Sequence, residues 1–230
     1  MGVTPAELAQ YYPHLYHMAE CDSWENIQRH GLLSTDALLH LFEVPAEKRA
    51  AILAGQRKRR IPIEHPAYGK AIIRDQKPLI LSKLEGCLTD CSLDQWLRML
   101  NSRVFFWLCQ ARLQTLMCAR EYCGEEHTVL VLDTLRLATD FHQSITLARM
   151  NTGNTRPFAH KRGLSTFKRM PDYPFKERLR LGEYSTVVEL AVEGGVKNIT
   201  EYVIEALQMR CSSCNRDRGQ RIEEVKKLYP

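Results

Sequence analysis

Apolar positions along the chain fall into short runs of two kinds. Leu15–Met18, Ala71–Ile73, Val104–Leu108, Thr128–Leu132, Ser144–Ala148 and Thr186–Val192 are dense in β-branched and aromatic residues and predict strands. Helical spacing lies between them. Asp22-Ser-Trp-Glu25 reads as an acidic cap with Glu three residues on, opening a helix that Gly31 stops. Ser34 or Thr35 opens a second helix through Phe42, and Pro45 fits the first position of a third that ends at Gly55. Ser92-Leu-Asp-Gln95 is a capping-box pattern ahead of Trp96, Leu97 and Leu100, and Gln110–Ala119 reads as helix. Helices over Ile199–Met209 and Asp217–Leu228 close the pattern, with a proline-containing loop at Ile61–Gly69 and a long irregular stretch at Asn151–Gly182. Strands and helices in this mixed order predict an α+β fold rather than a doubly wound sheet. No glycine fingerprint of a dinucleotide-binding or P-loop site occurs.

Length and composition narrow this picture. At 230 residues, 44% apolar and 26% charged, the chain can build a sizeable core. The expected layout is a main domain over 1–209 and a basic helical tail over 210–230. No apolar run approaches the roughly 18 residues of a membrane span, and Met1–Ala6 does not read as a signal peptide. A cytoplasmic protein with reduced thiols and no membrane partner is therefore expected. Cys109 and Cys118 sit in apolar stretches, as small buried side chains do. Cys211-Ser-Ser-Cys214 with Cys87 and Cys91 would make a zinc set, but the spacings are irregular, and no metal is assigned.

The formal net charge of +5 hides a partition. Lys48–Ile63 carries Lys48, Arg49, Arg57, Lys58, Arg59 and Arg60 with no acid, a charge of +6. Arg156–Arg180 carries eight Lys or Arg, including Arg156, Lys161 and Arg162, against Asp172 and Glu177, again +6. Two segments at +6 within a total of +5 leave −7 for the rest. Two readings stay open: a polyanion-binding surface, or two solvated loops.

Four features carry candidate chemistry. Glu189 interrupts the apolar run Val187–Val192, which fits either an edge strand with a wet face or a carboxylate turned into a cleft. His17 lies in a strand-like run, where a structural histidine is the commoner role. Phe105-Phe106-Trp107 suits core or a stacking platform. Arg74, followed by Asp75, suits a surface ion pair or an anion contact.

Taken in order these residues form a pattern. Leu15-Tyr-His-Met-Ala-Glu-Cys-Asp-Ser-Trp-Glu-Asn-Ile-Gln-Arg-His-Gly-Leu-Leu-Ser34 resembles the opening of the DarT-type DNA ADP-ribosyltransferase toxins. Ile72-Ile73-Arg74-Asp75 resembles the stretch that carries an NAD-contacting arginine there, Arg103–Leu108 the aromatic second strand, and Val188-Glu189-Leu190 the strand with the catalytic glutamate. The resemblance spans about residues 14–203 and is strongest at 15–34; the chain is also similar throughout to an uncharacterised bacterial family. It implies a mixed, mainly antiparallel split sheet around an NAD cleft with flanking helices. It further implies an NAD-dependent mono-ADP-ribosyltransferase acting on DNA or RNA, a toxin or defence effector, with an antitoxin or ADP-ribosylhydrolase as partner.

In that scheme NAD is the co-substrate and Glu189 the catalytic residue. His17 holds the adenosine-side ribose, Met18 also contacts the cofactor, Phe105 or Phe106 stacks the nicotinamide, and Arg74 pairs with the pyrophosphate, with Arg103 as its rival. Arg57, Lys58, Arg59, Arg60, Arg156, Lys161 and Arg162 would guide the nucleic acid, and Asn151-Thr-Gly-Asn-Thr155 would recognise the acceptor. Val187 stands where transferases that modify protein side chains carry Glu or Gln, which disfavours an arginine- or asparagine-modifying enzyme. The alternatives are an NAD-dependent RNA 2′-phosphotransferase-like enzyme, or an inactive nucleic-acid-binding module on the same fold.

Overall fold

The computed structural model describes residues 2–213 and 221–230. Its strands are β1 (His14–Glu20), β2 (Leu32–Leu33), β3 (Ile61–His65), β4 (Gly69–Ile73), β5 (Arg103–Trp107), β6 (Glu126–Asp133), β7 (Ile145–Ala148), β8 (Lys168–Arg169), β9 (Glu189–Glu193), β10 (Gly195–Val196), β11 (Val203–Ser213) and β12 (Arg221–Tyr229). Its α-helices are α1 (Pro5–Tyr11), α2 (Trp24–His30), α3 (Thr35–Leu41), α4 (Ala46–Ala54), α5 (Leu81–Glu85), α6 (Leu93–Asn101), α7 (Gln110–Met117), α8 (Thr134–Asp140), α9 (Phe175–Leu179) and α10 (Glu183–Thr186). The main sheet has eight strands in the order β12-β11-β6-β1-β5-β9-β7-β8, with every registered pair antiparallel. The fold is mixed α+β, as the mixed order of runs predicts, and its sheets are mainly antiparallel, as the resemblance implies. Among the described residues no helix is long and apolar enough to cross a membrane.

The strand period sorts side chains between the two faces. Leu15, Val104, Phe106, Leu130, Leu132, Leu190 and Val192 share one core with α1, α2 and α8. On the other face Met18 and Val129 pack with Leu113 and Met117 of α7, while Ala148 and Ala191 pack with Trp96, Leu97 and Leu100 of α6. Each of these fully buried large side chains contributes about 1.5–3 kcal/mol of burial. A satellite core joins α3, α4 and the β3–β4 hairpin through Leu39, Phe42, Ile52, Leu53, Ile63 and Ile73.

The sheet parts at one place. β1 shares seven registered pairs with β6, and β5 shares five with β9, but β1 and β5 share only Tyr16↔Trp107. Local signals around this opening act as the sequence predicts. Ser34 Oγ accepts from Ala37 N–H at 3.2 Å, and Ser92 and Gln95 form both halves of a capping box. Gly31 closes α2 at φ +84°, where a Cβ would meet the Lys197 backbone at 2.5 Å. The acidic cap is displaced: Ser23, not Asp22, occupies the N-cap of α2 and makes no side-chain capping bond, and Asp22 takes φ +58°.

The C-terminal third departs most from expectation. Ile199–Met209 is not a helix: after one short 3-10 turn, β11 begins at Val203 and runs across residue 209. Of the expected helical tail at 210–230, the described residues are strand instead: 210–213 end β11 and 221–229 form β12, which pairs with it, while the start of the expected Asp217–Leu228 helix lies outside the described residues. Glu205, Ala206, Leu207 and Gln208 are good helix formers, yet they close the open edge of β6 in register from Val203↔Leu132 to Arg210↔Glu126. Satisfying that row of backbone donors and acceptors outweighs a propensity of a few tenths of a kcal/mol per residue. Ile61–Gly69 is also not a loop but most of the β3–β4 hairpin. Within Asn151–Gly182 the chain forms short 3-10 turns, β8 and α9, and residues 183–186 turn helically before β9 starts at Glu189.

Among the described residues the expectation of reduced thiols fails at Cys118, Cys123 and Cys211, all disulfide-bonded. Cys118, at the C-terminal cap of α7, is disulfide-bonded to Cys211 of β11. Helix α7 lies against the sheet face from which Cys211 projects, and both sulfurs sit in the apolar cluster with Met18 and Val129. Cys211 is thus no thiolate ligand, Cys87 and Cys91 are free thiols on another part of the fold, and Cys214 lies outside the described residues.

Candidate active site

A cavity of about 530 Å³ opens where β1 and β5 diverge, within the size range of small-molecule sites. His17, Met18, Arg74, Arg103, Phe105 and Glu189 all line it, although they come from three strands and the segment after β4. Its outer wall is built from α2 and the His30-Gly31-Leu32-Leu33 exit, so the most distinctive stretch of sequence frames the opening.

Glu189 is 4% exposed at the start of β9, a strand flanked by β5 and β7 rather than an edge strand with a wet face. Thr152 holds it twice, the backbone N–H donating to Oε2 at 3.0 Å and Oγ1 at 2.6 Å. Both bonds fall on one oxygen, leaving Oε1 to accept from a ligand. Burial pushes its pKa from 4.5 up to about 7, against the lowering effect of the Thr152 bonds and of Arg162 and Arg112. Arg162 reinforces the arrangement by donating from Nη1 to the Thr152 carbonyl at 2.9 Å.

His17 bridges the gap that the diverging strands leave. Its Nδ1 lies 2.8 Å from the Phe105 carbonyl, which can only accept, so the proton sits on Nδ1 and Nε2 is left as an acceptor. Burial lowers its pKa to about 4, so the ring is neutral near pH 7. Phe106 does not reach the cavity: it is fully buried on the opposite face and packs 5.6 Å from the His17 ring, backing it. Of the two candidate stacking rings, Phe105 is the one on the cavity side, beside Phe167 at 6.1 Å.

Arg74 is not a surface ion pair with Asp75. Its Nη1 donates to the carbonyls of Met18 at 2.9 Å and Ala19 at 3.2 Å, and its Nε lies 3.7 Å from Glu20. Nη2 is buried with no hydrogen-bond partner, an available donor for an anionic oxygen. Asp75 instead accepts from the Tyr122 hydroxyl at 2.8 Å. Arg103 is more fully engaged: Nη2 pairs with Glu193 at 2.8 Å, Nη1 donates to Met99 and Ser102, and only Nε is buried and unpaired.

The basic residues divide sharply. Arg57 is 9% exposed, donates to the Arg74 carbonyl at 2.9 Å and Asn101 Oδ1 at 2.8 Å, and is lowered to about 10 by burial. Arg162 is 2% exposed and serves Thr152. Both are buried and bonded within the fold, Arg57 at the cavity wall, rather than exposed surface charges as expected. Arg60 is paired with Glu20 at 3.0 Å and with Glu125, and Arg156 with Glu121 at 2.6 Å. Lys58, Arg59 and Lys161 are exposed.

Thr152 and Asn101 are site residues that sequence reading missed in these roles. Thr152 lay within the stretch assigned to acceptor recognition, and nothing local signals a bond to a residue 37 positions away. Asn101 ends an amphipathic helix, and its burial shows only once Arg57 packs against it.

A family model described as a family of unknown function, DUF7002, matches residues 13–203. The chain belongs to this family. The match runs from the residue before β1 to the start of β11, so the DUF7002 region contains every residue of the cavity. No curated protein and no solved structure matches the chain.

Proposed function

We propose that this DUF7002 protein is a DarT-like, NAD-dependent mono-ADP-ribosyltransferase that modifies nucleic acid and serves as a toxin or defence effector. The observation that carries the reading is the convergence of Glu189, His17, Phe105 and Arg74 on one cavity where the sheet parts. NAD supplies an activated glycosidic bond whose cleavage leaves positive charge on a ribose. Glu189 answers that charge: Oε1 accepts from a ribose hydroxyl while Thr152 fixes the carboxylate through Oε2. His17 Nε2 accepts from a second hydroxyl, Phe105 offers a ring face, and the unpartnered Nη2 of Arg74 suits a pyrophosphate oxygen better than Arg103 does.

The test is incubation with NAD labelled in the adenylate, followed by separation of DNA, RNA and protein. Label is expected in DNA or RNA. Glu189→Gln is expected to reduce transfer by at least about 10²-fold, the scale of losing a key electrostatic contact in a transition state. Full activity in Glu189→Gln would refute the assignment, and label in protein alone would refute the acceptor.

A further inference from the structure

A second pocket of about 470 Å³ adjoins the cavity. Asn151 lines both, and the consecutive residues Val188 and Glu189 line one each. Arg112 of α7, Arg149 after β7, Arg156 and Arg178 of α9 converge on it together with His160, and among the described residues no carboxylate lines it. Three of these arginines have no carboxylate partner among the described residues, and two of them are held by backbone carbonyls. Arg178 donates to the carbonyls of Thr186 at 2.8 Å and Ser185 at 2.5 Å. Arg112 donates to the Tyr184 carbonyl at 2.7 Å, and its guanidinium lies 3.9 Å from the Tyr184 ring centre. Arg149 has no hydrogen-bond or ion-pair partner among the described residues, while Arg156 alone is paired, with Glu121 outside the lining. Phe158 stands at the rim with 79% of its surface exposed.

Guanidinium groups without counter-ions select an oxyanion that each can grip through more than one N–H, which favours phosphate esters. An exposed aromatic ring beside them adds a platform for a flat base. We propose that this pocket is a nucleotide subsite, seating a phosphate on Arg112, Arg149 and Arg178 and the attached base against Phe158, next to Glu189. The proposal rests on the transferase reading only for its role: the nucleotide held here is the acceptor. Arg149 and Phe158 were not among the residues expected to bind nucleic acid, and they are the most accessible to test because neither supports another described residue through a hydrogen bond.

The experiment measures binding of fluorescein-labelled single-stranded DNA and RNA to Glu189→Gln protein, by anisotropy, with AMP and inorganic phosphate as competitors. Arg149→Glu in that background is expected to weaken oligonucleotide binding at least 10-fold and to lower the salt slope by about 0.7, one single-strand phosphate contact. Phe158→Ala is expected to weaken it 3-fold or more, without changing the slope. Lys226→Glu, the same charge change on the exposed edge strand β12, is expected to stay within 2-fold. Competition by AMP as strong as by an equal concentration of oligonucleotide assigns the subsite to a free nucleotide; weak competition assigns it to a strand, and either supports a phosphate subsite. Protein that binds none of these probes, or an Arg149→Glu effect no larger than that of Lys226→Glu, overturns it. Calorimetric titration with NAD separates the two readings: NAD binding with no Arg149 effect leaves the transferase and removes the subsite. An Arg149 effect with no NAD binding does the reverse.

Discussion

The two basic segments carry the same net charge, +6 each, yet the structure uses them differently. In the first, the central charge is turned inward: Arg57 joins Asn101 and the Arg74 carbonyl beneath the cavity, and Arg60 is neutralised by Glu20 and Glu125. Only Lys58 and Arg59 remain as surface charge in that run of four. In the second, Arg162 is also inward, but it serves the loop that grips Glu189, and Arg178 lines a pocket that, among the described residues, has no carboxylate in its lining. Counting charges along a chain therefore does not measure the field at its surface. A buried guanidinium bonded to carbonyls is scaffold, whereas the same group at a pocket wall is a binding element.

The contrast can be broken by mutation, and the largest effect belongs to the buried member of the first segment. Arg57→Met should destabilise the protein by roughly 3–4 kcal/mol in chemical denaturation, because it leaves Asn101 Oδ1 and a buried carbonyl without their donor. A loss below about 1 kcal/mol would show that Arg57 is not scaffold.

Glu189 supplies the next effect, and its sign is opposite. Its pKa is raised to about 7 in the fold, so between the unfolded value of 4.5 and 7 the native state holds a proton that the unfolded chain has released. Stability contributed by this group falls as pH rises through that window and stays low above it. Glu189→Gln should accordingly raise stability by about 3 kcal/mol at pH 8 and by little at pH 4.5, read from Tm at the two pH values. A difference independent of pH would show an ordinary carboxylate. His17, lowered to about 4, runs the other way, its contribution being lost as pH falls from 6.5 toward 4.

Arg162→Gln should cost about 2 kcal/mol and shift the ionisation midpoint of Glu189 upward, since Arg162 is one of the charges that lower it. The pH profile of transfer would then move to higher pH, a change that loop loosening alone does not produce. Smallest of all, Lys58→Ala and Arg59→Ala should alter stability by less than about 0.5 kcal/mol, as exposed residues do, in contrast to Arg57 beside them.

The strands that carry the site were legible because their signal is local. Val104–Leu108 and Thr128–Leu132 are dense enough in β-branched and aromatic residues to be read without partners. The Ser34 cap, the Ser92–Gln95 box and Gly31 acted where they were read, for the same reason. Val203–Ser213 was misread because its helix-forming composition competes with an edge of β6 that no local window contains. The pairing of Cys118 with Cys211 spans 93 residues and was hidden in the same way.

At the site, the chemistry of the side chains was readable but their selection was not. A carboxylate within an apolar strand and a histidine within another are unusual in any sequence, and those two landed on one cavity. Alternation then decided between Phe105 and Phe106, sending the second into the core behind His17. The amino-acid sequence by itself determined where strands and caps form and which residue types are costly to bury, because those follow from neighbours a few positions apart. Only the tertiary structure decided that β1 and β5 part after a single pair, that Thr152 and Arg162 hold Glu189, and that Arg57 and Arg162 are buried supports while Arg156 and Arg178 line a pocket. Those outcomes depend on which distant groups share a low-dielectric space, and burial, not sequence distance, sets their energies.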